Sequence, residues 1–160
     1  ALLPLLPVFL SYALSFVYIG IYWNNHHHML RAADRVNGAI LWANLHLLFW
    51  LSLVPFVTGW MGENHFAPVP SALYGGVLLM AAIAYTILQQ AILREHGKTS
   101  LLARAVGKDV KGKVSLITYA VAIGVSCVFP LLAQALYVLV AFIWLVPDRR
   151  IEKAFRQKAP

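Results

Sequence analysis

The chain has 160 residues, 61% of them hydrophobic and 12% charged, with a net charge of +7. A soluble domain carries about a quarter charged residues, so this composition excludes an ordinary water-soluble globule and reads as a membrane protein. The apolar fraction suffices for about five helical spans at roughly 20 residues each, which leaves almost nothing for a separate soluble domain.

Apolar tracts at about 2–23, 38–60, 71–93, 114–129 and 131–147 predict an all-α polytopic membrane bundle of five helices. They form a single domain over 1–160 that closes on a basic tail at 148–160. The first tract has neither the basic start nor the small-residue cleavage site of a signal peptide. Its pattern predicts helix to about Leu30, roughly 45 Å at ~1.5 Å per residue, which places His26, His27 and His28 at the membrane surface. Neighbouring helical residues turn by about 100°, so at most two of these His can meet one ion, and no metal site is expected. Interfacial polar residues of this kind cap a helix end or, turned inward, bind a neighbouring helix by hydrogen bonds.

The second tract carries Trp42, Asn44 and His46 in its first turns. Asn44 and His46 point to nearly opposite sides, so at most one faces a given partner. Trp50 is expected to pack against a neighbouring helix, and Gln89 and Gln90, closing the third tract, to be solvated. At sixteen residues the fourth tract reaches only about 24 Å against a hydrocarbon core of ~30 Å. Pro130 separates it from the fifth, which predicts a tight helical hairpin in preference to a re-entrant pair. Within the fourth tract, Ala120 with Gly124 and Ala122 with Ser126 are spaced for close helix contact. The single cysteine, Cys127, is expected to be a small packing residue.

Charge placement orients these spans. Arg31 and Arg35 follow the first; Arg94, Lys98, Arg104, Lys108, Lys111 and Lys113 lie between the third and fourth; Arg149, Arg150, Lys153, Arg156 and Lys158 follow the fifth. The intervening connections hold no basic residue, only Glu63. The positive-inside rule then predicts cytoplasmic basic loops and a cytoplasmic C-terminus. Charges at span ends match anionic lipid headgroups better than nucleic acid, so lipid is the expected partner. With five spans this orientation starts Ala1 on the opposite side, so one further upstream span is expected.

No Asp, Glu, Lys or Arg lies inside a tract. Proton-coupled transporters normally hold an ionisable group near mid-membrane, and intramembrane hydrolases need a nucleophile with a base, so both classes are disfavoured and the chain is not read as an enzyme. A Thr-Val-Gly-Tyr-Gly potassium filter is also absent.

Leu-Pro-Val-Phe-Leu-Ser-Tyr-Ala-Leu-Ser-Phe (6–16), Ile-Gly-Ile-Tyr-Trp-Asn-Asn-His-His-His (19–28) and the stretch from Leu-Trp-Ala-Asn-Leu to Trp-Met-Gly-Glu-Asn (41–64) resemble the bacterial branch of the transmembrane protein 175 family. The match is dense over 6–64 and looser to about 155. The resemblance implies a potassium-permeable channel, a homotetramer of six-helix subunits around a central pore, with an apolar constriction and no re-entrant filter loop. In that family the first helix begins with Arg-x-x-x-Phe-Ser-Asp and lines the pore. This chain has no Phe-Ser-Asp, and its first tract matches the family's second helix, so the pore-lining side chains are expected upstream of Ala1. The family holds that motif with residues of its second and third helices. Matched by position, these are drawn from Asn24, His26, His27, Trp42 and Asn44, an expected intrasubunit network beside the cytoplasmic pore mouth. No cofactor is expected beyond permeating K+. The expected location is the bacterial inner membrane, and the alternatives are a membrane redox carrier ligating haem through His26–His28 and His46, and a non-conducting membrane scaffold subunit.

Overall fold

A computed structural model describes residues 6–31, 33–97, 103 and 109–145. Among them run five helices, α1 (Leu6–Arg31), α2 (Gly38–Glu63), α3 (Pro68–His96), α4 (Val110–Ser126) and α5 (Pro130–Leu145), with no strand. The start of the first predicted span (2–5), the end of the fifth (146–147), the tail at 148–160, and Lys98, Arg104 and Lys108 lie outside the described residues.

Local chemistry sets the helix limits. Asn37 caps α2, its side chain accepting from the Ile40 amide at 3.0 Å, which satisfies one of the orphan donors of the first turn. Pro68 opens α3 where a missing N–H costs nothing. Gly97 ends it at φ 77°, a left-handed conformation that glycine adopts without a Cβ clash. The fourth helix starts at Val110, four residues before the expected position, because Asp109 caps it by accepting from the Gly112 amide at 3.1 Å. Lys111 and Lys113, which limit the apolar tract, therefore belong to the helix itself. The link to α5 is only three residues long, and the Phe129 amide donates to Val125 at 2.8 Å, so the pair forms the expected tight hairpin. Cys127 in that turn is exposed, not a packing residue, because it falls just beyond the last buried position of α4.

Contacts between helix ends give the topology. Backbone and side chains at the start of α2 meet the end of α3, through Arg35 with His96 and Asn37 with Glu95, so α2 and α3 are antiparallel. Tyr18 with Tyr137 and Asn25 with Trp144 set α1 parallel to α5, and Trp144 with Ser115 sets α5 antiparallel to α4. One end of the bundle thus collects the C-termini of α1, α3 and α5 and the N-termini of α2 and α4. All five basic residues of the helices and their described flanks, Arg31, Arg35, Arg94, Lys111 and Lys113, sit there.

The interior holds two apolar clusters. One is aliphatic, built around Leu47, Leu51, Leu88 and Ile92 between α2 and α3; the other joins Tyr18, Tyr74, Tyr119 and Tyr137 with Val54 and Val57. In α4 the buried small pair is Ala122 with Ser126, while Gly124 faces outward. The outside is apolar as well: Leu41, Trp42, Leu45, Phe49 and Phe56 on α2 and Leu131, Leu132 and Phe142 on α5 are exposed. Surface of this kind marks contact with a membrane or another protein. By length and composition α2 and α3, each with a mean hydropathy of 1.8 over its most apolar stretch, are long enough to cross a membrane. The α4–α5 hairpin is shorter, its 17- and 16-residue arms reaching about 25 Å.

Candidate functional site at the basic end of the bundle

The inward stripe of α1 is Ser15, Tyr18, Ile21, Asn25 and Met29, recurring every three or four residues. Asn25 is its polar centre. The amide donates to the Ile21 carbonyl at 2.8 Å and across to the Trp144 carbonyl at 3.1 Å, tying α1 to α5. The Asn25 backbone carbonyl accepts from the Tyr85 hydroxyl of α3 at 3.4 Å. From Trp144 the network continues into α4, the indole N–H donating to Ser115 Oγ at 2.8 Å and Ser115 donating to the Lys111 carbonyl at 2.8 Å. Four helices therefore meet through polar contacts within about three turns of the basic end.

These side chains leave a cavity of about 30 Å³ bordered by Tyr22, Asn25, Tyr85, Thr86, Ser115 and Tyr119. That space holds about one or two water molecules, and hydroxyl and amide groups on several walls supply the partners such a water needs. Among the described residues, no buried side-chain donor or acceptor lacks a partner.

The second connection runs from α1 to α2. His26 Nε2 and Asn44 Oδ1 lie 2.5 Å apart, so the ring carries its proton on Nε2 and donates to the amide oxygen. Of the five residues expected from sequence, these two are brought together. His27 instead stacks on Trp23, with centroids 5.3 Å apart and planes at 14°, on the exposed side of α1. Trp42 is 74% exposed, and Asn24 is half-buried one residue out of register with the inward stripe. His46 does point away from Asn44's partner: its Nε2 accepts from the Trp50 indole at 2.9 Å, within α2. His26 and His46 are thus each engaged within the bundle, through Asn44 and Trp50. No group of three His, Cys, Asp or Glu side chains placed for a metal ion occurs among the described residues.

A third connection closes the end. His96 Nδ1 bonds to the Ile92 carbonyl at 2.9 Å, which leaves Nε2 to accept from the Arg35 amide at 3.0 Å, and Asn37 donates to Glu95 at 2.5 Å. The α1–α2 connection is thereby clamped onto the last turn of α3. Gln89 departs from the expected solvated position: only 3% exposed, it faces inward because α3 continues past it to His96, while Gln90 is exposed.

Sequence reasoning missed Asn25, Ser115, Trp144 and the Glu95–His96 clamp. The alternating three- and four-residue spacing of Ser15, Tyr18, Tyr22, Asn25 and Met29 is the available signal for Asn25. No comparable signal marks Ser115, whose partner lies 29 residues away.

Residues 1–55 match the family model described as the endosomal/lysosomal potassium channel TMEM175. The chain is 53% identical over 157 residues to a protein of Chryseobacterium sp. (strain P1-3) named as a potassium channel, an alignment covering 98% of this chain and 82% of that protein. It is also 33% identical to potassium channels of Streptomyces collinus, over 51% of this chain and 42% of the relative, and of Chamaesiphon minutus, over 55% and 45%. No solved structure matches the chain.

Proposed function

Because the chain belongs to the TMEM175 potassium-channel family, we propose that it is a subunit of a passive, potassium-permeable membrane channel. The observation that carries this reading is the 53% identity, sustained over 98% of the chain, to a protein named as a potassium channel. Physical features agree. The two helices long and apolar enough to cross a membrane, α2 and α3, hold charged residues only at their ends, as a passive pathway without a proton relay requires. Large exposed apolar faces fit a lipid surround and a subunit contact.

In the same reading the assembly is a homotetramer with a central pore, an apolar constriction that gates by dewetting and no re-entrant filter loop. The subunit sits in the cell membrane with its basic end and C-terminus in the cytoplasm, as the clustering of Arg31, Arg35, Arg94, Lys111 and Lys113 supports. Asn24, His26, His27, Trp42 and Asn44 then form the cytoplasmic side of the subunit, where the His26–Asn44 pair fixes α1 against α2. Flux tests the function. Full-length protein in liposomes should carry K+ down its gradient without ATP or a proton gradient, and more readily than Na+. A protein that assembles but passes no cation would instead be a scaffold subunit.

A further inference from the structure

Between α2 and α3, at the basic end, lies a laterally open groove of about 390 Å³. Its α3 wall is a single stripe, Ile87, Gln90, Ala91 and Arg94, spaced i, i+3, i+4 and i+7; its α2 wall is Ala39 and Ala43, one turn apart. The groove is therefore apolar and narrow-walled toward the middle of the helices and ends in an amide and a guanidinium. Thr86, at its inner end, adds no free hydroxyl, since that group donates to the Ala82 carbonyl at 2.9 Å. Glu95, next to Arg94 in sequence, is bound to Asn37 and does not neutralise the guanidinium. Gln90 and Arg94 are both exposed and stand at the end where the basic residues gather.

We propose that this groove binds an anionic phospholipid. The phosphate lies against Arg94 and Gln90, and the first part of one acyl chain lies over Ile87, Ala91, Ala39 and Ala43. The dimensions fit. The seven residue steps from Ile87 to Arg94 span about 10 Å, a third of the ~30 Å hydrocarbon thickness, enough for a headgroup and the upper acyl segment. The volume lies within the ~300–1,000 Å³ typical of small-molecule sites. A guanidinium matches phosphate bidentately, and a positive charge at the inner interface is attracted to anionic lipids. The small alanine side chains leave the space; leucines at 39 and 43 would fill it.

The assignment rests on the membrane placement proposed above but not on conduction. The test uses full-length protein in a neutral detergent, titrated with phosphatidylglycerol or phosphatidylcholine and followed by native mass spectrometry. Wild-type protein should retain phosphatidylglycerol at least tenfold more strongly than phosphatidylcholine. Arg94→Gln should remove most of that preference, while the same charge change at Lys113, outside the groove, should leave it nearly intact. Ala91→Trp should weaken both lipids by filling the groove. A photoactivatable phosphatidylglycerol in vesicles of phosphatidylcholine and phosphatidylglycerol should label α2 and α3 near Ala43 and Ala91. Equal retention of both lipids, an unchanged Arg94→Gln variant, or crosslinks between subunits in place of lipid at those positions would each overturn the assignment. A protein that conducts K+ but shows no headgroup preference loses only the lipid site, and one that does not partition into membranes loses the membrane reading itself.

Discussion

Leu47, Leu51, Ala81, Ala84, Leu88 and Ile92 fill the seam between α2 and α3, whereas Tyr18, Tyr74 and Tyr137 with Ser71 and Gln134 join α1, α3 and α5. The first seam is filled by aliphatic side chains, and the clamp of Arg35 with His96 and Asn37 with Glu95 lies at its end. The second is bonded along its length. Tyr18 donates to the Tyr137 carbonyl at 2.5 Å, Tyr137 donates to the Ser71 carbonyl at 3.2 Å, and Gln134 donates to Ser71 Oγ at 3.1 Å. The rings of Tyr18 and Tyr137 both meet Tyr74 edge-on, with centroids 6.0 and 5.4 Å apart. The aliphatic seam is held by close packing and the tyrosine seam by packing plus the direction of its hydrogen bonds. The aliphatic seam should fail by cavity formation and the tyrosine seam by lost register.

Substitutions separate the two. Leu88→Ala, at a fully buried position of the aliphatic seam, should be the most damaging change, costing about 2–5 kcal/mol and read as a large fall in the thermal midpoint of detergent-solubilised protein. In the tyrosine seam, Gly75→Val should cost about 1–3 kcal/mol. A Cβ at Gly75 would overlap the Tyr137 hydroxyl and approach Ile123 Cγ1 to 2.9 Å, so α3 and α5 must shift and the same melting assay should show a lowered midpoint. Asn25→Leu keeps volume but removes the side-chain bridge to the Trp144 carbonyl and leaves that carbonyl without its Asn25 donor, while the backbone bond from Tyr85 is retained. It should cost about 1–2 kcal/mol, whereas Asn24→Ala, one residue away, should stay within about 0.5 kcal/mol. Tyr137→Phe, which deletes one hydrogen bond without a cavity, should cost about 1 kcal/mol. If Tyr137→Phe proves worse than Leu88→Ala, the division between a packed and a bonded seam is wrong.

Much of this architecture is legible in the sequence, because a charge-free apolar tract is a strong signal for a long helix. The ends of α1, α2 and α3 fall within about three residues of expectation wherever they are described. The start of α4 is displaced because hydropathy stops at Lys113, while the helix is decided by a cap: Asp109 binds the Gly112 amide, and Lys111 extends its ammonium to 6.0 Å from the Trp144 ring. The candidate site is harder to read. Chemistry alone does not rank Asn24 against Asn25 or His26 against His27; one step of 100° decides which faces inward, and only the periodicity of the whole helix carries that phase. The Ser115–Trp144 bond and the Glu95–His96 clamp depend on which helices become neighbours, which local sequence does not encode.

The central claim, that this chain forms a passive potassium-permeable channel, is tested most directly by recording full-length protein in a planar bilayer under a tenfold KCl gradient. The account predicts an open-channel current that reverses on the potassium side of zero, approaching about 59 mV for ideal selectivity. A reversal at the chloride potential, or reconstituted protein with no current at all, would contradict it.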